Sequence, residues 1–217
     1  MHGLSELVLF ADEHLLVIEK PAGMLCVPGR GADKQDCLAA RVQAVYPDAM
    51  VVHRLDMATS GLWLMARGAN VQRQLSVAFA DREVGKRYVA VVAGQMCGRN
   101  DGDWSLIDLP IAADWPNRPL RIIDREKGKP SRTRWRPLGH DEAAEDTTRL
   151  ELEPVTGRSH QLRVHLQALG HPILGDALYA PADVQRRASR LLLHASGLDF
   201  AHPVTGERMR FESITPF

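Results

Sequence analysis

The 217-residue chain has only three cysteines, Cys26, Cys37 and Cys97. They form an odd set without a C-x-x-C pair, which argues against both a disulfide framework and a cysteine zinc site. No apolar run approaches the roughly 18 residues that a membrane-crossing helix needs. The N-terminus lacks a basic segment followed by an apolar core, so no secretory leader is visible. Repeats, linkers and low-complexity tracts are missing, as are the H-x-H and H-E-x-x-H spacings of common metal sites. Net charge is missing too, with 27 basic residues against 27 acidic ones, so the chain is not a uniformly basic nucleic-acid binder. These absences together predict a cytoplasmic, thiol-reduced setting with no membrane partner.

What is present is the composition of an ordinary globular protein, 45% hydrophobic and 25% charged. The length suits one domain, or two subdomains sharing a core. Charge is unevenly distributed. Between Arg118 and Arg136 eight basic residues stand against two acids, whereas Asp141 to Glu153 holds six acids and only Arg149. A neutral chain of this kind can still present a basic face. Within Ser131–Leu138, Arg132, Arg134 and Arg136 alternate with Thr133 and Trp135, the period of a strand with one basic side. Such a side holds phosphates or is simply solvated.

The most informative stretch is His53-Arg54-Leu55-Asp56-Met57-Ala58-Thr59-Ser60-Gly61, which joins the apolar Met50–Val52 to Leu62–Ala66. It sets an acid on a polar connection between two strand-like runs, where a side chain is exposed and yet firmly aimed. Gly61 releases the turn without a Cβ penalty. The residues alone leave two readings open for Asp56, a chemical group or an Asx-turn cap near Thr59 and Ser60.

Elsewhere, alternation and turn residues predict strands at Leu7–Phe10, Leu15–Lys20, Lys86–Ala93, Trp104–Ile111, Leu120–Asp124, Thr148–Val155, Leu191–Leu198 and Met209–Phe211. Helical spacing predicts helices over Lys34–Val45, from Asn70 through Phe79, over Gln161–Leu169 with Ser159 as cap, and over Ala182–Ser189. Gly98–Gly102 reads as a polar turn. Trp115-Pro116-Asn117-Arg118-Pro119 reads as a rigid exposed loop, whose Trp stacks on an unpaired base or covers the core edge.

The central motif resembles the signature of the RluA-family pseudouridine synthases. Five further stretches match that family in order: Lys20–Met24, Lys86–Ala90, Gly157–Arg163, His171–Asp176 and Leu192–Ala195. The resemblance implies an α+β fold, a mainly antiparallel mixed sheet in two halves with a cleft between them and helices outside. It implies one catalytic domain over residues 1–217 without an N-terminal S4-like domain, no cofactor and no metal, and an enzyme working as a monomer. The expected substrates are uridines in hairpin loops of large-subunit rRNA and tRNA, isomerised to pseudouridine after base flipping.

Under the same resemblance Asp56 is the nucleophile and Tyr88 packs on the uracil. Arg163 lies beside Asp56 and keeps it ionised, as an adjacent cation does. Arg54 fills the space the flipped base leaves. Lys20, Arg118, Arg132, Arg134 and Arg136 are the expected RNA contacts. Two rivals stand against this reading. One is a non-catalytic RNA-binding module on the same fold. The other is a metal hydrolase built from His53, Asp56 and His160 or His194.

Overall fold

The structure, a computed structural model, describes residues 4–98, 103–139 and 146–217. The turn expected at Gly98–Gly102, Gly98 apart, and the acids Asp141, Glu142 and Glu145 lie outside the described residues. In chain order the elements are α1 (Leu4–Leu7), β1 (Val8–Ala11), β2 (Leu15–Lys20), a 3-10 turn (Ala32–Lys34), α2 (Leu38–Gln43), β3 (Ala49–Val51), β4 (Ser60–Arg67) and α3 (Ala69–Ala80). There follow β5 (Gly85–Ala93), β6 (Ser105–Asp108), β7 (Ile111–Ala113), β8 (Arg121–Ile123), β9 (Arg132–Gly139) and β10 (Thr147–Pro154). The chain ends with α4 (Gln161–Ala168), α5 (Ala182–Gln185), β11 (Leu193–Ala201) and β12 (Arg208–Glu212). This is an α+β fold with a large, mostly antiparallel sheet and few helices. Among the described residues no helix is long and apolar enough to cross a membrane.

The chain forms two compact units, Met1–Lys86 with Ala195–Pro216, and Arg87–His194 with Phe217. In the first, β2 pairs antiparallel with β1 on one side and β4 on the other, Ile18 facing Trp63. β4 also pairs with β3, and β11 with β12. From Ser60 to Ala66 every residue of β4 is buried, on both faces, which explains why this run is apolar without alternation. Helix α3 lays Val71 and Leu75 on Leu62, Leu64 and Ala66 of β4, as its spacing predicts. Each fully buried Leu or Val side chain here stabilises the unit by roughly 1.5–3 kcal/mol.

In the second unit the strands run in the order β5, β10, β9, β6, each neighbouring pair antiparallel. β7 and β8 form a separate two-stranded ribbon. Helix α4 is buried from Gln161 through Leu166 and packs on β8, β9 and β10.

Several boundaries differ from the sequence expectation. The helix expected over Lys34–Val45 is a 3-10 turn followed by the short α2. Helix α3 starts at Ala69 behind Gly68, with no side-chain cap from Asn70. Helix α4 is preceded by His160 in the left-handed conformation (φ 57°) and not by a capping Ser159. Helix α5 stops at Gln185, short of Ser189.

Candidate active site

Asp56 sits half-buried on a loop whose backbone is held almost residue by residue. The indole of Trp63 donates to the carbonyl of His53 at 2.9 Å. The Leu55 N–H donates to the buried Cys26 sulfur at 3.3 Å, and the Leu55 side chain is itself buried. The Met57 carbonyl accepts from the Gly23 N–H at 2.8 Å and from Lys20 Nζ at 3.0 Å. The turn is closed by its backbone, with Thr59 N–H donating to the Asp56 carbonyl at 3.1 Å. Thr59 and Ser60 are buried. Gly61, at φ +109°, passes so close to Ala195 that a Cβ would lie 2.3 Å from the Ala195 carbonyl oxygen, so only glycine fits. The loop is therefore fixed from both ends, while Arg54 and Met57, on either side of Leu55–Asp56, are exposed.

Lys20 departs from its expected role. The side chain is fully buried, and Nζ donates to the carbonyls of Pro21 and Met24 at 2.8 Å each and to that of Met57 at 3.0 Å. A buried ammonium among carbonyls ties the 21–24 turn to the Asp56 loop and does not face a phosphate. The reason is tertiary, since one acceptor lies 37 residues away in sequence.

His53 is a structural residue. Its Nε2 accepts the Leu64 N–H at 3.0 Å, and its ring stacks on Phe79 with centroids 4.5 Å apart. Burial, with a smaller contribution from the Lys86 ammonium, pushes its pKa down to about 3. A ring that must accept a backbone N–H through Nε2 is the neutral tautomer. That commitment removes one ligand from the metal-hydrolase reading.

In the second unit Tyr88 lies half-buried on β5, opposite Leu152 of β10. Arg163, almost wholly buried on α4, forms a bidentate pair with the fully buried Asp176, Nη2–Oδ1 2.6 Å and Nε–Oδ2 2.8 Å. Asp176 Oδ1 also accepts the N–H groups of Leu178 and Tyr179 at 2.9 and 3.2 Å. Sequence reasoning missed Asp176, although it ends the family-like stretch His171–Asp176. It also missed Tyr179, whose ring lies 5.0 Å from the Arg163 guanidinium.

The basic strand exists but is not a free cationic face. Across the antiparallel register, Glu151 faces Arg136, Glu153 faces Arg134 and Asp108 faces Arg132. Arg136 pairs with Glu151 at 2.6 Å, Arg134 with Glu153 at 3.1 Å, and Arg132 with Asp108 at 3.6 Å. Arg87 of β5 joins in, contacting Glu153 closely and Glu151 at 3.5 Å. Trp104 lies against the guanidinium groups of Arg87, Arg134 and Arg136 at 4.8–4.9 Å. The β9 arginines thus face acids on the neighbouring strands β10 and β6 that offset their charge. This corrects the expectation of a wholly basic phosphate-holding side.

Arg118 belongs to a different element, the loop between β7 and β8. Trp115 is 70% exposed there, with the Arg118 guanidinium 3.4 Å from its ring centroid. The loop closes on itself. Asp114 accepts from the Asn117 side chain at 3.0 Å, and the Asp114 N–H donates to the Leu120 carbonyl at 3.1 Å.

Comparison with known proteins adds to this geometry. Residues 14–168 match the family model described as RNA pseudouridylate synthase. The chain is 46% identical over 210 residues to the dual-specificity RNA pseudouridine synthase RluA of Escherichia coli K12, covering 97% of this chain and 93% of that protein. It is 45% identical over 211 residues to the protein of the same name from Yersinia pestis, covering 97% of this chain and 100% of the other. Among solved structures it resembles human RNA pseudouridylate synthase domain containing 1, with a TM-score of 0.78 and 28% identity over 97% of this chain and 83% of that one.

Proposed function

This chain belongs to the RNA pseudouridylate synthase family, and on that premise we propose that Asp56 is the nucleophile with which it isomerises uridines in hairpin loops of large-subunit rRNA and tRNA. The observation that carries the proposal is the Asp56 loop, held by Trp63, Cys26, Gly23 and Lys20 while Arg54 is left exposed. A carboxylate held this way reaches its target without reorganising, the condition for efficient attack on a positioned sugar. The name of the E. coli relative, dual-specificity RNA pseudouridine synthase, supports more than one kind of RNA substrate, and the family resemblance of the motifs supplies large-subunit rRNA and tRNA as the two.

The isomerisation breaks the bond from ribose C1′ to base N1, turns the base, and joins C5 to C1′. The C5 proton is lost and N1 gains one, so atoms balance and no redox partner is required. Asp56 serves the sugar side. Attack at C1′, removal of the C2′ proton to give a glycal, and addition at C6 of the base all use the same carboxylate. On the family pattern Tyr88 packs on the uracil and offers its phenol as acceptor for the C5 proton, and Arg163 supports the charge. Extruding a base from a folded RNA costs on the order of a few kcal/mol. Arg54 is assigned to occupy the space left behind, and a guanidinium stacks well on the exposed bases. Trp115 and Arg118 form a second RNA contact, an exposed stacking platform of the kind unpaired bases use. The β9 arginines are assigned to stability and not to phosphates.

The same proposal has the enzyme act in the cytoplasm as a monomer, with residues 1–217 working as one catalytic domain. Pseudouridine mapping of rRNA and tRNA from a strain lacking the gene, with and without the gene restored, tests the substrate assignment. Restored modification in both RNA classes supports it, and restoration in neither overturns it.

A further inference from the structure

Between α4 and the β7–β8 ribbon one side chain makes three unlike contacts. The Tyr179 hydroxyl accepts the backbone N–H of Arg121, in β8, at 2.9 Å. The same oxygen lies 2.6 Å from Nδ1 of His160, the left-handed residue from which α4 starts. The ring lies against the Arg163 guanidinium, which is in turn held by Asp176. The backbone of Tyr179 is fixed to that same carboxylate through its N–H.

We propose that Tyr179 is a positioning residue that joins the RNA-stacking loop of Trp115 and Arg118 to the Arg163–Asp176 pair, so that the loop is held in its binding geometry before RNA arrives. Among the described residues β7 and β8 pair as strands only with each other, at Ile111–Ile123, Ala112–Ile122 and Ala113–Arg121, with one further bridge from Ile111 to Lys129 at the end away from the loop. A two-stranded ribbon is marginal on its own and needs an outside tether to hold its tip. The Arg121 N–H sits two residues past cis-Pro119, at the end of the Trp115 loop. Anchoring it on a phenol locked between His160 and Arg163 fixes the strand from which the loop springs. A loop ordered in advance binds more tightly than one that must be ordered on contact. This inference rests on the reading of Trp115 and Arg118 as RNA contacts.

Tyr179→Phe tests it, because the ring under Arg163 is kept and only the hydroxyl is lost. The probe is a synthetic RNA hairpin with a uridine-containing loop, its dissociation constant measured for wild type, Tyr179→Phe, Trp115→Ala and the double variant. Tyr179→Phe is expected to bind roughly three- to tenfold more weakly, the size of the lost Arg121 hydrogen bond that anchors the loop, at tenfold per 1.4 kcal/mol. KM should rise more than kcat falls. In the Trp115→Ala background the same change should cost less than about twofold, because the platform it positions is gone. Tyr179→Phe binding as tightly as wild type overturns the proposal, as do penalties that multiply in full in the double variant. A melting temperature equal to that of wild type shows that any loss does not come from unfolding. If wild-type protein binds the RNA but makes no pseudouridine, the functional reading falls, and the binding cycle still decides the role of Tyr179.

Discussion

Replacing Asp176 with Asn keeps the shape of the side chain and removes its charge. The carboxylate is fully buried, and the Arg163 side chain is only 4% exposed. Asp176 accepts four N–H donors, two from the guanidinium at 2.6 and 2.8 Å and two from the backbone at 2.9 and 3.2 Å. An Asn oxygen can keep the Oδ1 partners, but its amide then turns a donor toward the Arg163 Nε–H. The guanidinium is left buried against a neutral, partly repulsive neighbour. Breaking a buried pair from one side costs about 3–5 kcal/mol. In a protein of this size that corresponds to a melting temperature lower by roughly 6–20 °C. Arg163→Met should cost a similar amount, since it strands the carboxylate. In Arg163→Met/Asp176→Asn neither charge remains, so the double variant should recover about 2–3 kcal/mol relative to the sum of the singles. Urea denaturation of all four proteins gives the cycle. Single losses below about 1 kcal/mol, or additivity within about 0.5 kcal/mol, would refute the claim that this pair is a desolvated unit.

Two other outcomes are expected. Changing Arg132, Arg134 and Arg136 together to Gln should leave the slope of log affinity against log salt as in wild type, because their charges already face Asp108, Glu153 and Glu151; a slope flatter by about 0.7–0.9 per residue would show that they do touch phosphates. These pairs are partly exposed, so the stability lost should be modest, about 0.2–1 kcal/mol per pair at most. Stability should also fall in acid through His53. The folded state holds that ring neutral with a pKa of about 3, against an ordinary value of 6.5, so below pH 6.5 the unfolded chain binds the extra proton. The contribution is complete above that pH and shrinks as pH drops toward 3, and His53→Gln should flatten the acid side of a plot of melting temperature against pH. An unchanged profile in that variant would mean the ring titrates freely when folded.

Much of the fold was legible because strand alternation and buried apolar runs are local signals. β2 spans Leu15–Lys20 as expected, and the α3 stripe packs where its spacing puts it. What failed depended on partners far off in sequence. Lys20 reads as a solvated strand end because its burial needs the distant Met57 carbonyl to join the nearby carbonyls of Pro21 and Met24 around Nζ. Asp176 was not foreseen as a partner of Arg163, because it lies beyond α4, in a loop that only tertiary packing brings back. The neutralised arginine face is different, since its signal was present. Glu151 and Glu153 repeat with the same period of two as Arg134 and Arg136, and pairing the two segments antiparallel puts them opposite each other. The helix starts were misjudged at Asn70 and Ser159 because the backbone enters α3 and α4 through Gly68 and the left-handed His160.

The central claim is that the carboxylate of Asp56 does the chemistry, and Asp56→Asn tests it most directly. The amide preserves the size of the side chain and the backbone bonds at His53, Leu55 and Met57 that hold the loop. Hairpin RNA labelled with tritium at uridine C5 should release its label with wild-type protein. With Asp56→Asn it should release none above background, while its melting temperature and RNA affinity stay near wild type. Residual turnover within about tenfold of wild type, a barrier change of only about 1.4 kcal/mol, would contradict the account.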